Sequence, residues 1–120
     1  MEKRKPALSF RDLIFWQKAH QLVLDIYKTT KGFPKEETYG LTSQIRRSAS
    51  SVAANIAEGF KKKGNADKLR YYNISQGSLS ETEYHLILAH DLNYGEMLQL
   101  KDQAEEVSKL LESYMDAIRN

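Results

Sequence analysis

The chain has 120 residues, a length that suits one domain. It is 41% hydrophobic and 28% charged, with a mean hydropathy of -0.61 and no apolar run near the length of about eighteen residues that a membrane span needs. The absence of cysteine excludes disulfides, thiolate nucleophiles and thiolate metal sites together, and the net charge of +2 hides a division: residues 1–70 carry 15 Lys and Arg against 7 Asp and Glu, and residues 71–120 carry 3 against 9.

Such a division fits a nucleic-acid face, and equally fits complementary faces that meet within a fold or between copies. The start, Met1-Glu2-Lys3-Arg4-Lys5-Pro6, has no apolar stretch behind it long enough for a signal peptide, so a cytoplasmic location is expected. Residues 1–9 are expected to form a flexible basic tail, and residues 10–120 one all-α domain of four helices.

The first helix is predicted over residues 12–31. Ser9 and Asp12 resemble a capping box, with the shorter acid in place of Glu. Trp16, Ala19, Val23, Ile26 and Thr30 hold one face, Gly32 stops the helix, and Pro34 keeps the break open. Residues 34–39 can form a short helical turn, which Gly40 separates from the next helix.

The second helix is predicted over residues 41–63. Ile45, Ala49, Val52 and Ile56 follow the spacing of one helical face. A surface helix would carry long charged side chains on its back, yet this one carries Ser50, Ser51, Ala54 and Ala57. Small residues nearly all round mean that something packs on more than one side. Lys61, Lys62, Lys63 and Gly64 end the helix, with cations where its dipole favours them.

Asn65 reads as the N-cap of the third helix, which is predicted to reach Leu92, with Asn93 as a left-handed residue beyond it. Tyr72, Leu79 and Leu86 line one face; Ile74, Tyr84, Leu88 and Leu92 populate another, and Gly77 and Ser78 form a small patch between. The fourth helix, predicted over residues 96–119, is one-sided. Met97, Leu100, Ala104, Val107, Leu111, Tyr114 and Ile118 make its seam, and Asp102, Glu105, Glu106, Lys109, Glu112 and Asp116 its wet back. Short connections make neighbouring helices antiparallel, so an up-down-up-down four-helix bundle is expected. Helices two and three carry more apolar and small surface than one bundle needs, which points to a homo-oligomer.

Phe10-Arg11-Asp12-Leu13, Trp16-Gln17-Lys18-Ala19, the run from Tyr39 to Arg47, Asn55-Ile56-Ala57-Glu58-Gly59, and Gly77-Ser78-Leu79-Ser80-Glu81 occur in an order that resembles one family. It is the four-helix-bundle family of proteins encoded in intervening sequences of bacterial 23S rRNA genes. The resemblance spans Phe10 to about Tyr114. It implies a ring-like homopentamer, no established catalytic residues, and a structural relationship to the accessory variability protein of diversity-generating retroelements, a basic pentamer that binds a reverse transcriptase and nucleic acid. The subunit number comes from the resemblance alone. The family often has Pro where this chain has Ala53, so the second helix should be straighter here.

Candidate chemistry is sparse. Arg46 and Arg47 with Glu58 could hold a phosphate or form an interfacial ion-pair network, and the second fits better because Glu58 repels an anion. Arg47, Ser51, Ala54 and Glu58 share one line of the second helix. With Asn55, which could fix register across an interface, and with Arg46, Gly77, Tyr84 and Leu88, they are the interface candidates. Lys61, Lys62, Lys63, Lys68 and Arg70, followed by Tyr71 and Tyr72, are the nucleic-acid candidates, although a solvated helix end whose lysines complement the dipole is the simpler reading of them. Repeated around a ring they would form a cationic rim. His85 and Glu81 are four apart, but two ligands make a poor metal site, and no serine has a His–acid partner. No cofactor and no membrane partner are expected. The expected function is a non-enzymatic scaffold that binds itself and RNA, DNA or a reverse transcriptase. The competing reading is a protein-interaction module whose charge division serves assembly only, with a metal-dependent enzyme behind both.

Overall fold

The computed structural model describes residues 6–120. Helices α1 (Ile14–Thr30), α2 (Leu41–Lys61), α3 (Asn65–Asp91) and α4 (Leu98–Arg119) form an all-α bundle of 48 × 31 × 20 Å, with no strand among the described residues. Of the expected tail, residues 1–5 lie outside the described residues, whereas Ala7 packs against the core.

The capping box is present, but it closes a separate 3-10 turn, Phe10–Asp12. Asp12 Oδ2 accepts from the Leu8 and Ser9 amides at 2.9 and 3.1 Å, and Ser9 Oγ accepts from the Arg11 amide. Leu13 then adopts an extended conformation, so α1 starts at Ile14 rather than Asp12. Its buried stripe is Phe15, Ala19, Leu22, Ile26 and Thr30; Trp16 and Val23 sit at the edge of the core, so the inward face is rotated slightly from the expected one.

A second 3-10 turn, Lys35–Glu37, leads to Gly40. Glu37 Oε1 accepts from the Leu41 amide at 3.1 Å, the N-terminal cap of α2, and its Oε2 accepts from the Tyr94 hydroxyl at 2.7 Å. A Cβ at Gly40 would stand 2.8 Å from Glu37 Oε1, so a side chain there would push the carboxylate out of its present place. Tyr94 also packs against Phe33, with ring centroids 5.3 Å apart. The latch therefore ties the α1–α2 connection to the α3–α4 connection. The Tyr94 bond, followed by the Leu41 amide, holds the Glu37 carboxyl below its ordinary value of 4.5. The same bond raises the Tyr94 hydroxyl above 10.0. A lowered carboxyl stabilises the fold above 4.5 and loses that contribution as pH falls; a raised phenol stabilises it below 10.0 and loses that contribution as pH rises. The melting-temperature advantage of the wild type over Glu37→Ala should thus be constant between those limits and shrink on both sides of them.

In α2, Ile45, Ala49, Val52 and Ile56 are wholly buried as expected, and the helix runs unbroken through Ala53. It ends at Lys61 because Lys62 is already extended. Gly64, not Asn65, is the N-cap of α3: its backbone has the extended cap conformation, and Asn65 is already helical. Asn93 is left-handed at φ 63°, as the sequence suggested. Glu96 Oε1 accepts from the Leu98 amide at 2.7 Å, so α4 begins two residues later than predicted. Its seam is Met97, Leu100, Ala104, Val107, Leu111 and Met115, with Tyr114 and Ile118 half-buried beside it.

α2 and α3 approach through small side chains. Ser75 Oγ donates to the Val52 carbonyl at 2.9 Å, Ser78 Oγ to Ser51 Oγ at 3.0 Å, and Thr82 Oγ1 to Ser48 Oγ at 2.9 Å. At the far end of this ladder Gly59 faces Tyr72.

Tyr72 is fully buried, edge-on to Phe15 and Tyr114 at 6.2 and 5.8 Å. Its hydroxyl meets no protein partner, and burial pushes its pKa far up. Removing an unpaired buried hydroxyl removes a desolvation cost, so Tyr72→Phe should be as stable as the wild type or up to about 1 kcal/mol more stable in urea unfolding. A clear loss would reveal a bonded hydroxyl.

Candidate nucleic-acid and assembly surfaces

The turn between α2 and α3 divides the five predicted cations into three kinds. Lys61 and Lys63 are exposed to solvent. Lys62 Nζ lies 3.8 Å from Glu58 and 5.0 Å from the Tyr71 ring centroid; the Arg70 guanidinium lies 4.8 Å from the same centroid, with its Nε 3.9 Å from Asp67. Tyr71 is therefore stacked with two cations, and the exposed ion pairs neutralise them only weakly. Lys68 is different. Its Nζ donates to the carbonyls of Phe60 at 2.7 Å and Gly59 at 3.3 Å, and it stands 5.4 Å from the Phe60 ring centroid. Those carbonyls end α2 and need donors, so Lys68 is a helix cap from the next element and not a solvent-facing ligand.

Arg46, Arg47 and Glu58 do not converge. Arg46 turns inward: its Nε donates to Thr30 Oγ1 at 2.9 Å, a terminal nitrogen donates to the Tyr27 carbonyl at 3.3 Å, and the guanidinium lies 4.5 Å from the Tyr27 ring centroid. Within the subunit it closes the last turn of α1. Glu58 faces Lys62, and Arg47 is roughly 16 Å away from Glu58 along the helix axis. Arg47 lines a polar cleft of about 360 Å³ with Gln44, Ser48, Ser51, Ser78 and Glu81.

Asn55 spends its amide within its own helix, donating to the Ser51 carbonyl at 2.9 Å and to Ser51 Oγ at 3.0 Å. This supports the Ser51–Ser78 rung. Ala54 and Gly77 are exposed, nothing lies within 4 Å of a Cβ built on Gly77, and Tyr84 is 58% exposed. Leu88 differs, because it packs partly against the core of its own subunit. The open small and apolar surface thus comprises Ser50, Ala54, Ile74, Gly77 and Tyr84, on the backs of α2 and α3.

His85 is buried, with Nε2 3.4 Å from Glu81. Among the described residues no three His, Cys, Asp or Glu side chains gather as metal ligands would, and no helix is long and apolar enough to cross a membrane. The inward Arg46, the Lys68 cap and the Glu37–Tyr94 latch were not foreseen. The only sequence signal for the first two is a cation placed opposite the carbonyl end of a preceding helix.

A family model for the 23S rRNA-intervening sequence protein matches residues 11–113. The crystal structure of a protein with unknown function from the S23 ribosomal protein family of Bacteroides thetaiotaomicron VPI-5482 is similar, with 27% identity and a TM-score of 0.77 over 85% of this chain and 98% of that one. No curated protein matches.

Proposed function

Because this chain belongs to the 23S rRNA-intervening sequence protein family, we propose that it is a non-enzymatic cytoplasmic scaffold, an up-down-up-down bundle that assembles as a homopentamer and associates with nucleic acid or a nucleic-acid enzyme. The pentamer follows from the family resemblance; the open backs of α2 and α3 support association in general. The observation that carries nucleic-acid association is the α2–α3 turn, which exposes Lys61 and Lys63 and holds the Lys62 and Arg70 cations over the Tyr71 ring. Phosphate contacts by such cations release counterions, so affinity should fall steeply with salt. Titration of RNA and of DNA from low to rising salt tests this, and no binding at low salt defeats it.

Ala54→Arg places a long cation on the open back of α2. It should reduce the particle mass in light scattering while the helical circular dichroism is retained. An unaltered oligomer removes Ala54 from the interface. The competing reading, a protein-interaction module, draws on the engagement of Lys68, Lys62 and Arg70 within the subunit. A protein partner retained in a pull-down after nuclease treatment favours that reading.

A further inference from the structure

The α2–α3 turn sets aromatic rings among cations, the composition of a surface that stacks the bases of a single strand. The geometry works against that use. Tyr72 is fully buried. Phe60 is half-buried, with Lys68 Nζ 5.4 Å from its ring centroid. Tyr71 is half-buried too, and the Lys62 and Arg70 cations stand over its ring at 5.0 and 4.8 Å. A base that stacked there would have to compete with those cations for the ring. Trp16, whose neighbour Phe15 touches Tyr72, is half-buried with His20 stacked on it at 5.0 Å and Phe10 edge-on at 4.9 Å. The tyrosines that are more than half exposed are remote. Along the helices Tyr84 lies about 20 Å from Tyr71, and Tyr39 about 30 Å from Lys61.

What the turn does present is charge. Residues 58–70 hold five cations, Lys61, Lys62, Lys63, Lys68 and Arg70, against Glu58 and Asp67, a local balance of +3. Glu58 stands 3.8 Å from Lys62 and Asp67 stands 3.9 Å from Arg70. Such exposed pairs are weak and yield readily to a phosphate.

We propose that this turn reads the phosphate backbone of a double helix and not the bases of a single strand, an inference that rests on the nucleic-acid association proposed above. A cationic surface whose rings are already occupied takes its affinity from counterion release. A duplex carries one charge per ~1.7 Å of axis, a denser array than a single strand, so each phosphate contact releases more: the salt slope is about −0.9 per contact against about −0.7. For three contacts the duplex therefore gains roughly fourfold over the strand with each tenfold dilution of salt. Such binding is indifferent to sequence, because phosphates carry none.

Fluorescence anisotropy of the wild type tests this with a DNA duplex, an RNA duplex and an oligo-thymidine single strand, all matched in number of phosphates. The duplexes should bind more tightly at low salt, and the margin should close as salt rises. Tighter binding of the B-form DNA or of the A-form RNA identifies the source of the duplex, and either supports the inference. Tyr71→Leu removes the ring that holds Lys62 and Arg70, so it should affect duplex and strand alike. A strand that binds at low salt as tightly as both duplexes overturns this inference and leaves nucleic-acid association standing. So does a loss of about fivefold or more on Tyr71→Leu that falls on the strand alone, since that is the least that removing a stacked base costs. No binding of any of the three at low salt overturns both.

Discussion

Gly59→Val is expected to lower the unfolding free energy by about 3 kcal/mol or more, a large share of the ~5–15 kcal/mol that holds a domain of this size together. A Cβ at Gly59 would lie 2.7 and 3.0 Å from two carbons of the Tyr72 ring and 3.1 Å from Tyr71 Cβ. The ring cannot swing away, because Tyr72 is fully buried against Phe15 and Tyr114. Relief then requires α2 and α3 to separate, which stretches the hydroxyl ladder behind the contact. Gly59→Ala should show the same conflict in reduced form, softened by the gain of about 1 kcal/mol that alanine brings to a helix interior. Adding Tyr72→Leu to Gly59→Ala should restore part of the loss, since it removes the atoms in the way. Urea unfolding of the two single variants and the double variant measures this. Additive losses would show that the tyrosine is not the obstacle.

Reversing Lys61, Lys62 and Lys63 to Glu together is the second large effect expected, this time on binding. If the α2–α3 turn meets phosphates, three reversals per subunit should lower affinity by at least about 100-fold at low salt and flatten the salt dependence by roughly one unit of slope per lysine. Lys68→Ala supplies the contrast. That side chain is engaged with the Phe60 and Gly59 carbonyls, so its loss should depress the melting temperature while leaving affinity nearly unchanged. Equal loss of affinity in both variants would mean that folding of the turn, and not its charge, is being measured. An unchanged affinity in the triple variant would remove the turn from the binding surface.

The sequence made the helices legible because each buries a stripe at helical spacing. Ile45, Ala49, Val52 and Ile56 were identified correctly to the residue, since no competing periodicity exists there. Helix ends were less legible. Ser9 and Asp12 make a true capping box, but nothing local distinguishes a box that opens a long helix from one that closes a single turn before an extended Leu13. The small back of α2, Ser50, Ser51, Ala54 and Ala57, was read as surplus surface, and the structure divides it: Ser51 is engaged with Ser78 of α3 and Ala57 is half-buried, while Ser50 and Ala54 stay open. The candidate site was the least legible. Arg46 and Arg47 are neighbours in sequence but about 100° apart around the helix, so one reaches Thr30 and the other lines a cleft. Lys68 was grouped with Lys61 by charge, although its distance to two main-chain carbonyls gives it another task, and no composition or spacing rule reports such a distance.

The seam of serine and threonine hydroxyls gives α2 and α3 a mechanical identity of their own. Polar rivets at three levels, with a glycine contact at the far end, make the pair a stiff plate, and α1 and α4 are mounted on it by apolar packing with a polar tie at one level each, Arg46 to the end of α1 and Gln76 to Ser108 of α4. Greasy contacts tolerate sliding; directional bonds between short side chains do not. Thermal breathing should therefore concentrate in the outer pair, and any load applied at the lysine-bearing turn would be transmitted lengthwise through the plate instead of being absorbed by it.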